Sequence, residues 1–272
     1  DLDGIGTAQM VTAMPPNVDT SVKRFNVGAT LGPYPIGGNL SVVADPLSPV
    51  VYDIDRPSDN SGSPPRIAGS LIVENTSYLR VGNSFDGGTG AVTVVDTLAF
   101  HHSAAATVAN AMSGAGSLSK LGSNTLTLTG VNSYTGATGT GSAGGVVFAN
   151  NTAPTTSGFT GSGTVTIEPT SSFASAVTAN YTYDTNLSGL TLGKSGNLTN
   201  MTLNSLVNIA GPITVYAPQI TVNQALSSTG GLTLNGASVL NGGTISTTGA
   251  QTYNGAVTLG AATVLTSTGS GA

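Results

Sequence analysis

Short stretches in which apolar and polar residues alternate recur along this chain, and they predict β-strands. In Leu126-Thr127-Leu128-Thr129, the apolar side chains fall on every second position, the spacing of a strand with one buried face. Gly122 and Gly130 stand on either side of this stretch and predict turns. The local plan is therefore turn, short strand, turn.

The last third of the chain repeats this plan most regularly. Eight three-residue stretches, six of which have a threonine between two apolar residues, lie at 190–192, 201–203, 213–215, 220–222, 232–234, 244–246, 257–259 and 263–265. Pairs of successive steps add up to about 19 to 25 residues, which is the length of one β-solenoid coil. The period therefore predicts an all-β parallel β-helix in which Leu, Ile and Val form continuous interior ladders.

One segment, residues 114–140, resembles the autotransporter-associated β-strand repeat. The matching positions are Gly114, Gly116, Leu118, Lys120, Gly122, Thr125, Leu126, Leu128, Gly130, Asn132, Tyr134, Gly136 and Thr138. A second region, from Gly211 to Gly236 and from Thr248 to Gly269, resembles the repeats of filamentous-haemagglutinin-like adhesins. Both resemblances imply a passenger segment of a large secreted bacterial surface protein, built as a right-handed parallel β-helix and carrying no reaction.

The first quarter of the chain has a different pattern. Residues 1–66 hold most of the prolines, which remove backbone donors and are excluded from central strands. We expect an irregular proline-rich cap or small β module at 1–66, with strands near 40–43 and 50–52, and a repeat array at 67–272. The alanine-rich residues 103–112 predict one short helix.

Composition narrows the classes of function. Only 7% of the 272 residues are charged, yet 39% are hydrophobic, so the chain can build a core and does not have the composition of a disordered protein. The net charge of −5 argues against nucleic acid as a partner. No apolar run is long enough for a transmembrane helix. The absence of cysteine is compatible with export.

The two ends of the chain suggest that it belongs to a longer protein or to an assembly. The chain opens at Asp1 without a signal peptide, which suggests a processed chain whose targeting segment has been removed. It ends on Gly269-Ser270-Gly271-Ala272 without a charged final coil, and an uncovered solenoid end exposes unpaired backbone groups. We therefore expect a segment of a longer protein, or a subunit whose end is covered by another chain.

Catalysis by a β-helix enzyme requires paired carboxylates or a carboxylate cluster with calcium. From residue 97 onward, the acidic residues are Glu168 and Asp184 and the basic ones are Lys120 and Lys194, scattered over the array. A serine nucleophile also needs a base, and His101 and His102 stand in no nucleophile-elbow context. The sequence therefore predicts no catalytic residues and no cofactor.

Clustered carboxylates suggest one metal site, a calcium site at Asp53, Asp55 and Asp59. The competing interpretation is a solvated polar loop with Arg56 as the local counter-charge, because the cluster lacks the spacing of a calcium loop. The adjacent histidines His101 and His102 would point to opposite faces of a strand, so they are expected to be structural rather than metal ligands.

Two further groups of residues have a structural and a functional interpretation. Phe173, Tyr181 and Tyr183 are expected to fill the core, the alternative being exposed rings that stack on sugars. Asn-x-Ser/Thr triplets are potential glycosylation sites, but a chain rich in Asn, Ser and Thr produces them by chance. They begin at Asn39, Asn75, Asn150, Asn180, Asn186, Asn197 and Asn200.

Taken together, these patterns favour a structural protein located on the bacterial cell surface or secreted into the extracellular matrix. It would act in attachment, aggregation, biofilm or sheath formation, with host-cell, bacterial or matrix surface components, including glycans, as partners. A second hypothesis is a filament or surface-layer subunit that associates head to tail through an uncapped solenoid end. A polysaccharide-active β-helix enzyme is the third.

Overall fold

A computed structural model gives the fold of the chain. It describes residues 105–269 without a break, and before them eight separate strands between residues 24 and 101. Side chains are described for Val94, for Thr97–Phe100 and from residue 105 onward. All of these elements are strands, and every pairing between them is parallel.

The strands fall into five sheets. The strands of the first three sheets are β1 (Arg24–Asn26), β3 (Tyr52–Asp55) and β6 (Leu79–Val81); β4 (Arg66–Ile67), β7 (Val92–Val94), β10 (Met112–Gly114) and β13 (Asn132–Tyr134); and β2 (Leu40–Val42), β5 (Ser70–Glu74), β8 (Thr97–His101), β11 (Ser117–Leu121), β14 (Thr138–Gly139), β16 (Gly158–Thr160) and β19 (Thr182–Tyr183).

The other two sheets extend to the end of the described chain. The eleven-stranded sheet contains β9 (Ala106–Val108), β12 (Thr125–Leu128), β15 (Gly145–Ala149), β17 (Thr164–Glu168), β18 (Val177–Ala179), β20 (Gly189–Leu192), β21 (Met201–Leu203), β23 (Ile213–Val222), β25 (Leu232–Leu240), β27 (Gln251–Tyr253) and β28 (Val257–Leu259). The last sheet contains β22 (Val207–Ile209), β24 (Leu226–Ser228), β26 (Thr244–Thr247) and β29 (Val264–Ser267).

In the middle of the chain, successive coils contribute one strand to each of three sheets, whereas later coils pair twice within the eleven-stranded sheet and once within the last sheet. Strands β10, β11 and β12 form one coil, and β13, β14 and β15 form the next, in register with it 20 residues later. Toward the end of the chain, the repeat shortens to 19 residues, as in the pairing of Ile213 with Leu232. The predicted parallel β-solenoid is therefore confirmed, with about eight turns.

The core is a stack of inward-facing side chains. Leu126 and Leu128 are buried, whereas Thr125 before them and Thr127 between them are partly exposed, as the alternating pattern predicted. Across the coils, Leu126 lies in register with Ala106 and Val146, so each interior position continues into the next coil. This stacking produces one continuous hydrophobic core along the described array.

The helix predicted for residues 103–112 is wrong in the part that the structure describes. Residues 106–108 form β9 and residue 112 begins β10. Ala106 and Val108 are buried and pair in register with Leu126 and Leu128 of the next coil. The pairing of β9 with β12 in the next coil therefore decides the conformation of residues 106–108, because tertiary pairing outweighs the helix preference of alanine.

The predicted short strands of the last third all contain strand residues, with two differences. The stretches 213–215 and 220–222 belong to one long strand, β23, whose register shifts between Tyr216 and Gln219. The stretch predicted at 263–265 lies at 264–267 instead. The first difference arises because the chain stays extended through the corner between 213–215 and 220–222, where Ala217 is buried.

The N-terminal predictions are only partly covered by the described residues. The strand near 40–43 is found as β2, and the one near 50–52 starts later, at Tyr52. Strand β2 joins the same seven-stranded sheet as β19. The division at residue 66 stays a prediction, because most residues before it lie outside those described.

Candidate interaction surfaces

The residues of the repeat-like segment 114–140 are used for folding. Tyr134 is fully buried, and its hydroxyl lies 2.6 Å from Thr138 Oγ1, which donates onward to Thr156 Oγ1 at 3.0 Å. Burial raises the pKa of Tyr134, so the hydroxyl stays protonated. Asn132 is buried and donates through Nδ2 to the Gly130 carbonyl at 2.7 Å. The side chains of Asn132, Tyr134 and Thr138 are therefore buried and not available to a ligand.

Lys120 is a buried cation within this segment. Its side chain is only 2% exposed, and Nζ donates hydrogen bonds to the carbonyls of Gly122, at 2.9 Å, and of Ala143 in the following coil. Removal from water lowers the pKa of Lys120. The Lys120 ammonium thus links two successive coils and is not part of the protein surface.

Lys120 predicts a specific pH dependence of stability. Because its pKa is lower in the folded protein, folding favours the neutral amine, and the free energy of unfolding should rise as pH approaches the unfolded pKa of about 10.4 from below. Lys120→Met should lack this rise. Urea unfolding of both proteins across this pH range would measure the difference, in which the common titration of the tyrosines cancels. An identical pH profile for the two proteins would contradict the prediction.

Two of the three other charged residues within 105–269, Asp184 and Lys194, bind backbone and amide groups. Asp184 accepts hydrogen bonds from the backbone amides of Asn186, at 2.9 Å, and Gly161, at 3.0 Å. These two bonds lower the pKa of Asp184. Lys194 Nζ donates to the Thr170 carbonyl. Asp184 and Lys194 therefore fix turns between neighbouring coils.

The aromatic residues form a cluster inside the solenoid. Phe159 packs edge-to-face against Phe148 and Tyr181, with ring centroids 6.0 and 5.1 Å apart, and also contacts Tyr183. The Tyr181 hydroxyl donates to the Pro154 carbonyl at 2.8 Å. Phe173 is buried as well. The core interpretation of Phe173, Tyr181 and Tyr183 is thus confirmed, and the sugar-stacking alternative is wrong for these three residues.

An asparagine ladder runs along the outside of four coils. It consists of Asn180, Asn204, Asn223 and Asn241, each amide nitrogen donating to the amide oxygen of the preceding member at 2.9 to 3.1 Å. A second ladder has only two members: the Asn254 amide nitrogen donates to the Asn235 amide oxygen at 2.8 Å. Because each member uses its neighbour as a partner, the ladder stabilises the register of the coils.

Breaking the asparagine ladder in its middle should reduce stability measurably. Asn204→Ala removes two side-chain hydrogen bonds, each worth about 0.5 to 1.5 kcal/mol, and their exposure places the expected loss at the lower end. Asn200→Ala is the matched control, since that exposed side chain makes no hydrogen bond within residues 105–269. Chemical denaturation should therefore distinguish the two variants. Equal stability would show that the ladder contributes nothing.

A row of threonines occupies the outer face of the eleven-stranded sheet. Eight positions in direct register, seven of them threonine, form this threonine row: Thr107, Thr127, Val147, Thr166, Thr191, Thr214, Thr233 and Thr252. All eight side chains are partly or fully exposed. The seven hydroxyls make no hydrogen bond to any group among the described residues.

Threonines at the ends of strands behave differently. Thr182 Oγ1, at the start of β19, donates to the Ser157 carbonyl at 3.3 Å, and Thr155 Oγ1, between β15 and β16, donates to the Tyr134 carbonyl at 3.2 Å, each one coil earlier. Thr164 Oγ1 does the same to Gly144 at 3.3 Å. Hydroxyls at strand ends are therefore used within the fold, whereas those of the threonine row face outward without a protein partner.

The final described coil exposes apolar side chains. Val257, Leu259, Val264 and Leu265 are 41 to 60% exposed, whereas the equivalent Leu240 and Ile245 of the preceding coil are buried. These four residues form the apolar terminal coil. In each earlier coil, the next coil covers such side chains.

The structure describes two of the three residues predicted to bind calcium. Asp53 and Asp55 lie in strand β3, so the loop interpretation is wrong for both, while Asp59 lies outside the described residues. The backbone register places Asp53 level with Arg24 and Arg80 in the neighbouring strands. His101 belongs to β8, and His102 is not described. The calcium site stays a prediction.

The glycosylation triplets are also distinguished by burial. Asn197 is buried, and its amide nitrogen donates to the carbonyls of Thr199 and Tyr216, both at 3.0 Å, so it is inaccessible in the folded chain. Asn180 and Asn200 are exposed. Asn39 and Asn75 lie outside the described residues.

Searches for metal ligands and for membrane-spanning helices gave no candidates in the described part. No group of three or more His, Cys, Asp or Glu side chains there is placed to hold a metal ion. None of the described residues belongs to a helix long and apolar enough to cross a membrane.

The fold defines the class of the protein as a parallel β-solenoid. Comparisons with known proteins found no matching protein-family model, no similar curated protein and no similar solved structure.

Proposed function

We propose that the chain is a structural segment of an exported bacterial surface protein, in which the solenoid acts as a stiff spacer and as an adhesive surface. The supporting observation is the continuous stack of parallel coils with an outer surface of threonine and asparagine rows. Each coil contacts its neighbours along its whole length, so the array is rigid and can fold coil by coil after export.

The charged groups support a structural role over catalysis. Asp184, Lys120 and Lys194 bind backbone groups of neighbouring turns, so all three serve the fold. A polysaccharide-active enzyme would use carboxylates that face its substrate. Simultaneous substitution of Asp53, Asp55 and Asp59 tests the enzyme hypothesis. Loss of a polysaccharide-cleaving activity in that variant would favour the enzyme.

Display on a cell surface tests the adhesive role. Cells that carry the whole chain on their exterior should aggregate, or attach to bacterial, host-cell or matrix components, more than cells that carry a β-solenoid of similar length and unrelated sequence. Export through an autotransporter or two-partner route belongs to the same proposal. Equal attachment by both kinds of cell would contradict the adhesive role.

A filament or surface-layer subunit is a second candidate, since a stack of parallel coils can continue from one molecule into the next. In such an assembly, the exposed Leu259 and Leu265 of the final described coil would lie against a coil of the neighbouring molecule. Negative-stain electron microscopy with intact mass determination tests this. Periodic filaments or sheets of 26.7 kDa subunits support it, and their loss in Leu259→Asp together with Leu265→Asp locates the contact.

A further inference from the structure

We propose that the threonine row binds the surface of ice. The proposal is independent of the adhesive role and rests on three properties of the row: its regular repeat, its unpaired hydroxyls and its lack of charge.

The repeat of the row is fixed by the backbone. Neighbouring parallel strands are about 4.8 Å apart, so every threonine presents its hydroxyl and methyl group at that interval. Hydrogen-bonded coils on both sides and a packed core below hold each strand in place. A rigid row of this kind matches a partner that is itself periodic at a similar distance, as the rows of oxygen atoms in ice are.

The hydroxyls are available to water. Each threonine hydroxyl can donate one hydrogen bond and accept two, like a water molecule with one bond missing. In the row these capacities are unused within the described fold, in contrast to those of Thr164 and Thr182 at strand starts and of Thr155 between two strands. The methyl groups beside them restrict the neighbouring water molecules. The row can therefore hold a layer of water in an ordered arrangement.

The single position of the threonine row that is not threonine is also compatible with ice binding. Val147 is the one position without a hydroxyl, and it lies in register between Thr127 and Thr166. Valine has nearly the shape of threonine, so the outline of the row and its methyl groups continue unbroken across this coil.

A neutral glycan is the main rival partner, and the row fits it less well. In an extended β-1,4-linked glycan, successive sugars are turned over, so the same groups face a surface only at every second sugar. The row instead repeats the same side chain at nearly every coil. Sugar-binding surfaces also use exposed aromatic rings, whereas the rings of Phe159, Tyr181 and Phe173 are buried.

Partition into slowly growing ice tests the proposal. The fluorescently labelled chain should concentrate in the ice fraction, and it should slow the coarsening of ice grains in a frozen solution. Thr166→Tyr with Thr191→Tyr should abolish most of both effects, because two bulky rings lift the row from a flat surface. Tyrosine is a favourable strand residue, so the fold is expected to persist. Ser246→Tyr is the matched control, on the outer face of the last sheet, and should behave like the natural chain.

Two isosteric variants test the role of the hydroxyls without adding bulk. Thr166→Val with Thr191→Val should weaken partition into ice, and Val147→Thr should strengthen it. Exclusion of the natural chain from ice would overturn the proposal, and so would an equal loss in Ser246→Tyr. Capture by microcrystalline cellulose without partition into ice would assign the row to a glycan instead.

Discussion

Replacing Phe159 by alanine is expected to lower the free energy of unfolding by about 3 to 5 kcal/mol. Phe159 is 1% exposed and contacts three other rings, those of Phe148, Tyr181 and Tyr183. The substitution removes its buried area and leaves a cavity that these rings cannot fill without leaving their edge-to-face packing.

The loss at Phe159 should be local in the array. A solenoid coil is stabilised by its nearest neighbours, so amide hydrogen exchange should accelerate most in β15, β16 and β19, and least in β25 and β26. Thr160→Ala is the control, because Thr160 is the next residue of the same strand and is exposed. It should change stability by less than about 0.5 kcal/mol. Uniform acceleration along the whole chain would contradict a local effect.

The second large effect is expected for Gly114→Ala, where two costs combine. Gly114 has a φ of +108°, a conformation that other residues adopt at a cost of about 1 to 2 kcal/mol. A Cβ at this position would also lie 2.2 Å from the carbonyl oxygen of Val94, a backbone atom of the preceding coil. The coils must then separate, which adds a steric cost of about 1 to 3 kcal/mol.

Gly196→Ala separates the two costs. Gly196 has a φ of +86°, but a Cβ there would meet no atom within 4 Å. This variant should show the backbone cost alone, so it should be clearly more stable than Gly114→Ala. Thermal unfolding followed by circular dichroism would compare the two. Equal losses would show that the contact with Val94 has no energetic effect.

These expectations show why the repeat-like motif was readable in the sequence. Its glycines stand where the coils approach most closely, and Leu118, Leu126, Leu128 and Tyr134 fill the core at fixed intervals. Both requirements recur in every coil and act on residue type directly. They therefore appear as spacing, and spacing was sufficient to predict the parallel solenoid.

The candidate surfaces were less visible. Mid-strand threonines are expected in any β protein, so the sequence did not distinguish Thr191, with its free hydroxyl, from Thr182, which bonds the coil below. Asn180, Asn204, Asn223 and Asn241 form a ladder only because coils of different lengths bring them into contact. The varying intervals concealed the asparagine ladder, whereas the threonine stretches were visible in the sequence but the free state of their hydroxyls was not.

The sequence by itself determined the class of fold and the absence of paired carboxylates after residue 97. It also determined that threonine and asparagine supply most of the polar surface. Those properties follow from residue type and local alternation. The tertiary structure alone decided that residues 106–108 form a strand, that Lys120 lies inside, and which hydroxyls and amides face outward unpaired or bonded to one another. Each of these depends on the register between coils about 20 residues apart, which local preferences leave undetermined.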